Sequence, residues 1–226
     1  MVTDNPMTSS GAKVAVLAGA SGLVGRELLQ LLGESSAYSA VHSLVRRPGA
    51  GDAKPSKVSE HVVNFDDLPP LPACDDVYVA LGTTIKVAGS EAAFRRVDHD
   101  YVVAVARAGR AAGATRLGIV SALGADAKSR VFYNRVKGEM QAAVVTLGYT
   151  SVVIVQPSLL VGDRERLGQP TRIGEVWATR LLRPIAGLIP AGIRPVQARD
   201  VARVLLEKTL TAVPGVTIVP SRELQG

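Results

Sequence analysis

Between a short apolar run, Lys13 to Ala18, and a helical pattern, Leu23 to Leu32, stands the segment Gly19-Ala20-Ser21-Gly22-Leu23-Val24-Gly25. A buried strand that turns at once into a helix leaves little choice of fold. Glycines at such a junction let the chain turn tightly, let its backbone approach a pyrophosphate and let the helix pack on the strand. The helix N-terminus adds unpaired N–H groups and the positive end of a dipole. The spacing in this context predicts a dinucleotide-binding strand–turn–helix; the alternative is a glycine turn that serves packing alone.

The rest of the chain repeats the unit. Val41–Val45, His61–Phe65, Asp76–Leu81, Leu117–Val120 and Ser151–Val155 are short, apolar and bounded by Gly, Pro or polar residues, as strands buried on both faces are. Helical patterns lie between them at Glu91–Ala112 and Val131–Leu147, with Gly113 and Gly148 as stops; Val97, Tyr101, Val105 and Ala108 show the helical spacing. Such alternation predicts an α/β fold, a Rossmann-like doubly wound parallel sheet. Residues 1–12 read as a disordered tail and residues 13–226 as a single domain. Within it, residues 162–196 form a small C-terminal substrate lobe before a terminal helix, Gln197–Leu210, and a late strand, Val216–Val219.

The chain has 226 residues, of which 47% are apolar and 20% charged, enough to bury a core without staples. Cys74 is the sole cysteine, so no internal disulfide exists, and coiled-coil, collagen and disulfide-miniprotein classes are excluded. Residues 1–12 lack the basic and apolar regions of a secretory signal, and no apolar run approaches the roughly 20 residues of a bilayer span. These features predict a cytoplasmic protein with no membrane span. The net charge of +6 arises after residue 113, where 15 basic residues face 8 acidic ones. The basic residues are scattered, so attraction of a small anionic ligand accounts for them better than a nucleic-acid surface.

The second strand ends in Val45-Arg46-Arg47-Pro48. An acid at this place bonds the ribose 2′-hydroxyl of NAD, whereas arginine accepts a 2′-phosphate through paired charge-assisted hydrogen bonds. Arg46 and Arg47 therefore predict NADP(H); the alternative is a pair of solvated loop arginines. Ser121 closes the fifth strand, Tyr133 follows after 12 residues, and Lys137 lies one helical turn beyond on the same face. A free phenol titrates near pH 10, and a cation within about 4–6 Å favours the phenolate. Lys137 supplies the cation, Tyr133 the proton, and Ser121 a hydrogen bond that holds a substrate carbonyl.

These motifs resemble the short-chain dehydrogenase/reductase superfamily, in its atypical NAD(P)H-binding branch, from about Lys13 to Gly162. Within that branch the chain is similar to the oxidoreductases grouped with the human HIV Tat-interacting protein. The likeness runs through Leu81-Gly82-Thr83-Thr84, Ala88-Gly89-Ser90, Phe94-Arg95-Arg96-Val97-Asp98, Ser121-Ala122-Leu123-Gly124-Ala125 and Tyr133-Asn134-Arg135-Val136-Lys137-Gly138-Glu139. The resemblance implies that Gly19, Ser21, Gly22, Leu23 and Val24 surround the pyrophosphate and that Arg46 and Arg47 hold the 2′-phosphate. By the same resemblance Phe65 and Asp66 meet the adenine, Leu81, Gly82 and Thr83 the ribose region, Lys137 the nicotinamide ribose, and Pro157 the segment beside the nicotinamide. Gln156-Pro157-Ser158 departs from the usual Arg-Pro-Gly. The helix Asn of the superfamily's water relay has no clear counterpart, with Asp98 and His99 in its region.

Plainer expectations attach to other residues. Cys74 precedes two acids that disfavour a thiolate, and His42, His61 and His99 lack metal-ligand spacing, so no metal is expected. Arg164, Arg166 and Arg172 clamp an anionic substrate or face solvent, Trp177 packs, and the apolar segment 181–193 lines a pocket, a dimer face or the core. The leading expectation is an NADPH-dependent oxidoreductase acting on a small-molecule carbonyl, as a monomer or homodimer. A cofactor-sensing regulatory protein that engages a protein partner is the alternative. A nucleotide-sugar epimerase ranks last, since only 64 residues follow Gly162.

Overall fold

A computed structural model describes residues 11–48, 55–161 and 194–225. Its centre is a seven-stranded sheet ordered β3-β2-β1-β4-β5-β6-β9. The strands are β1 (Lys13–Ala18), β2 (Tyr38–Val45), β3 (Val58–Val62), β4 (Asp76–Val79), β5 (Arg116–Val120), β6 (Ser151–Gln156) and β9 (Gly215–Pro220). Every pairing is parallel. A short separate pair, β7 (Leu160–Val161) with β8 (Val196–Gln197), follows β6.

Alternation along the central strands fills two cores. Ala15 and Leu17 of β1, with Val153 and Val155 of β6, face α1 (Leu23–Glu34) and α6 (Ala198–Leu210), whose Leu28, Leu32, Val201 and Leu205 are buried. Val16 and Ala18 point the other way with Val77, Ile119 and Ile154, under Val102 and Val105 of α4 (Tyr101–Ala111) and Met140 and Val144 of α5 (Phe132–Val145). Strands covered on both faces read as continuous apolar runs, which is why they are visible in the sequence.

Several expected boundaries move. The third strand spans Val58–Val62 instead of His61–Phe65, because pairing with β2 starts at Val41 and Val58; Phe65 lies beyond it, within the turn closed by the Asn64–Asp67 bridge. β4 ends at Val79, where Ala80 donates its last bond to the Ala18 carbonyl at 2.8 Å and the chain veers under Gly19. The helix expected over Glu91–Ala112 is α3 (Glu91–Arg95) and α4 joined by a π turn, Arg96–Asp100. A four-residue helix, α2 (Ile85–Ala88), precedes it, with Thr84 and Ser90 capping α2 and α3. Gly113 and Gly148 end their helices at φ 104° and 79°, as expected. Of the expected tail, residues 1–12, and the expected lobe, residues 162–196, the parts 1–10 and 162–193, with Arg164, Arg166, Arg172, Trp177 and the 181–193 segment, lie outside the described residues; Val196 of the lobe pairs in β8.

Cys74 is buried, and burial, reinforced by Asp75 and Asp76, pushes its thiol up to about 11. His42 Nδ1 and His61 Nε2 lie 2.9 Å apart, bonded to each other across β2 and β3.

Candidate active site

Parallel sheets bind ligands beyond the carboxyl ends of their strands, where the strand order reverses. In this sheet the reversal falls between β1 and β4, and a cavity of about 360 Å³ opens there. The glycine loop forms one wall. Gly19 has φ 96°, and a Cβ on it would stand 2.5 Å from the Ala80 carbonyl carbon, so only glycine lets the first turn pass the start of the β4 loop. Gly22 then N-caps α1 without a side-chain bond, leaving the first helical N–H groups to a ligand.

The cavity brings together Gly22, Leu23 and Val24 with Leu81, Gly82 and Thr83, and with Ser121, Tyr133 and Lys137. Ser121 enters from the end of β5, where its N–H donates to the Val155 carbonyl at 2.8 Å. Tyr133 and Lys137 project from the first two turns of α5, and the Tyr133 ring packs on Phe94 with centroids 5.3 Å apart. Gly138 lets α5 approach this closely: a Cβ there would stand 2.1 Å from the Ala127 nitrogen. Ser158, Leu159 and Leu160 also line it.

Other expected contacts lie outside this cavity. Gly19 and Ser21 belong to its loop without lining it, and Pro157 is buried behind Leu123, whose N–H donates to the Pro157 carbonyl at 2.8 Å. Arg46 and Arg47 are exposed just past β2. Phe65 is buried against the Tyr101 ring at 5.5 Å, and Tyr101 donates its hydroxyl to Asp66 at 2.9 Å. Burial and then Asp66 raise the Tyr101 phenol above its ordinary value, opposed by the guanidiniums of Arg96 and Arg46. Phe65, Asp66 and Arg46 therefore share one neighbourhood, with Tyr101 and Arg96 added by the fold.

Three residues that sequence reasoning passed over, or left without a role, complete the geometry. Asp98 is buried, with Oδ1 2.7 Å from Lys137 Nζ and Oδ2 accepting from the Thr83 N–H at 2.8 Å. Gln141 Nε2 donates to Ser121 Oγ at 2.6 Å, and Gln156 Nε2 donates to Gln141 Oε1 at 3.3 Å. Gln141 was legible as the next turn of the Tyr133–Lys137 face; the Asp98 pair was not, because it depends on a π turn. Gly82 is exposed above this ion pair, and a Cβ on it would approach Asp98 Oδ1 to 3.4 Å. That open floor and the uncapped α1 terminus fit a dinucleotide laid across the strand ends.

Among the described residues no cluster of His, Cys, Asp or Glu could hold a metal ion, and no helix is long and apolar enough to cross a membrane.

No family model matches the chain. In solved structures its fold is similar to MoeE5 in complex with UDP-glucose and NAD (TM-score 0.67, 15% identity, 93% of this chain and 79% of that one). It is likewise similar to Helicobacter pylori ADP-L-glycero-D-manno-heptose-6-epimerase (TM-score 0.67, 14% identity, 93% and 77%). The Lactococcus lactis oxidoreductase ylbE gives a TM-score of 0.63 at 16% identity, over 93% and 94%. These likenesses show a Rossmann-like α/β fold.

Sequence relatives are nearer. Protein FMP52, mitochondrial, of Eremothecium gossypii is 35% identical over 154 residues, 67% of this chain and 68% of that protein. The Emericella nidulans protein fmp52, mitochondrial, is 35% identical over 178 residues, 75% and 76% of the two chains. These names overturn the expected cytoplasmic location. Neither the composition of residues 1–12 nor the absence of a long apolar run distinguishes the cytosol from an organelle. With 33% identity over 218 residues to the Aspergillus fumigatus protein, 90% of this chain and 89% of that one, the chain belongs to the FMP52 family.

Proposed function

We propose that this chain is an NADPH-dependent oxidoreductase that reduces a small-molecule carbonyl. The observation that carries the reading is one cavity lined by a glycine-turned helix terminus, Ser121, Tyr133 and Lys137. A nicotinamide dinucleotide held between the glycine turn and Lys137 would supply the hydride for the carbonyl carbon. Ser121 would hold the carbonyl oxygen, Tyr133 would give it a proton, and the Lys137 ammonium would stabilise the phenolate left behind until solvent reprotonates it; the product is an alcohol. A positioned acid of this kind contributes about 10²–10⁴ in rate.

Leu23 and Val24 would shield the pyrophosphate bound by the N–H groups of the Gly19–Gly22 turn. Phe65 and Asp66 would meet the adenine, Leu81, Gly82 and Thr83 the ribose, and Pro157 would back the nicotinamide side. Arg46 and Arg47 would hold the 2′-phosphate, and their exposure beside the Asp66–Tyr101 cluster supports NADPH over NADH. The motifs shared with the Tat-interacting protein grouping support the same branch, and the names of the FMP52 relatives support a mitochondrial site of action.

Calorimetry with NADPH and NADH tests the cofactor, with tighter NADPH binding expected and a marked loss on Arg46→Glu. A carbonyl panel followed by NADPH absorbance tests the reaction. Tyr133→Phe is expected to remove most turnover and to leave NADPH affinity within about twofold. NADPH binding without consumption of any carbonyl would instead favour a sensor role. Interconversion of nucleotide sugars would favour the reaction named for the Helicobacter pylori neighbour.

A further inference from the structure

We propose that Asp98 is a positioning residue that makes Lys137 work as one half of a buried ion pair, fixing where its ammonium points and how much positive field reaches the Tyr133 hydroxyl. The inference rests on the reading of Tyr133 and Lys137 given above and goes beyond it in adding a negative charge to the site.

Asp98 Oδ1 lies 2.7 Å from Lys137 Nζ, with the two side chains only 1% and 4% exposed. Asp98 Oδ2 is held by the Thr83 N–H at 2.8 Å, so both carboxylate oxygens are committed and the acid cannot swing away. The π turn Arg96–Asp100 makes this possible: it inserts an extra residue into the ladder between buried Phe94 and Val102 and sets Asp98 inward. A lysine ammonium carries three N–H donors. One is taken by Asp98, which leaves two for a ribose hydroxyl and for the side of Tyr133. Gly82 keeps the face above the pair open: a Cβ there would reach within 3.4 Å of Asp98 Oδ1 and 3.9 Å of Lys137 Nζ.

A lone buried cation acts on a neighbouring phenol with its full charge, whereas a cation in contact with its counter-charge acts as a dipole, whose field falls off faster with distance. Several other charged groups on the elements around Tyr133 have partners of their own, while Lys128, Arg130 and Glu91 are exposed to solvent. Arg95 pairs with Glu139 and His99 with Asp100, while Arg135 bonds the Ser129 and Arg130 carbonyls and Asp126 the Lys128 N–H. Of these groups only Asp98 and Lys137 are almost fully buried, so their charges are screened least by solvent.

Phenolate formation is read directly by ultraviolet difference titration, subtracting the Tyr133→Phe variant made in each background, so the readout requires no turnover. Asp98→Asn is expected to move the Tyr133 step to lower pH by about one unit or more, since it leaves Lys137 uncompensated. In the carbonyl-reduction assay the alkaline limb of the rate profile moves the same way. Asp98→Asn with Lys137→Gln removes both charges and guards against misfolding of the single variant. Its step is expected within about half a unit of the unaltered protein. An unmoved step in Asp98→Asn, or a rise of about one unit in the double variant as expected for loss of a lone cation, would overturn the inference. A merely structural Asp98 would lower the rate at every pH without displacing the limb. Failure of NADPH to bind in calorimetry would overturn the oxidoreductase reading, and the titrations would still report on the ion pair.

Discussion

Gln141 donates its side-chain amide to the Ser121 hydroxyl oxygen at 2.6 Å and is itself held by Gln156. The chain of amides ties the ends of β5 and β6 to the third turn of α5. With one lone pair of Ser121 engaged by Gln141, its O–H is left to donate to a substrate oxygen. Gln141→Met keeps the length and loses the bond. Turnover of a carbonyl substrate is expected to fall by about 2–10-fold, the equivalent of one neutral hydrogen bond, with NADPH affinity unchanged. Steady-state kinetics together with calorimetry check this.

The glycine loop tolerates no side chain at Gly25. A Cβ there would stand 1.9 Å from the Gly19 carbonyl oxygen, a backbone atom that cannot yield without moving the turn. Gly25→Ala is expected to cost about 1–3 kcal/mol of stability by overpacking. Because the shift opens the phosphate cradle, NADPH affinity should fall about tenfold or more, a change of roughly 1.4 kcal/mol or above. Calorimetry on the folded variant gives the answer; undiminished binding would remove this loop from the site.

At the opposite end of the sheet, Asp76 is fully buried and receives two hydrogen bonds from Arg116, at 2.6 and 2.7 Å, and a third from the Tyr38 hydroxyl. Tyr38 and Tyr78 lie hydroxyl to hydroxyl at 2.7 Å, and burial raises both phenols far above their ordinary value. Breaking a buried ion pair from one side leaves the other charge uncompensated and costs about 3–5 kcal/mol. Asp76→Asn is therefore expected to lower the urea midpoint sharply while NADPH affinity is retained, because the network lies at the amino ends of the strands.

The imidazole of His42 is held below its ordinary value of 6.5, by burial first and by His61 second. The unfolded chain then takes up a proton more readily than the folded one. Stability is full above about pH 6.5 and falls as the pH drops below it. Unfolding at about pH 7.5 and 5.5 should show lower stability at the acid end, and His42→Asn should shrink the difference. Glu139, held below the usual carboxylate range mainly by its hydrogen bond from Arg95, loses its contribution only under more acidic conditions.

The alternation of apolar runs and helical patterns by itself determined the α/β class, β1, the late strand β9 and the helix stops at Gly113 and Gly148. Each follows from a local rule: burial on both faces, residue spacing, or a positive φ. The glycine loop and the Tyr133–Lys137 face were legible for the same reason, since their chemistry is set by neighbours in the chain. Pairing decided the rest. The register against β2 placed β3 three residues earlier than its apolar content suggested, because the strand is fixed by hydrogen bonds to a partner. Gln141 meets Ser121 from 20 residues away, and Asp98 meets Lys137 through a π turn that no local preference announces. Contacts between distant segments depend on how helices seat on a sheet, and that seating exists only once the whole core has packed.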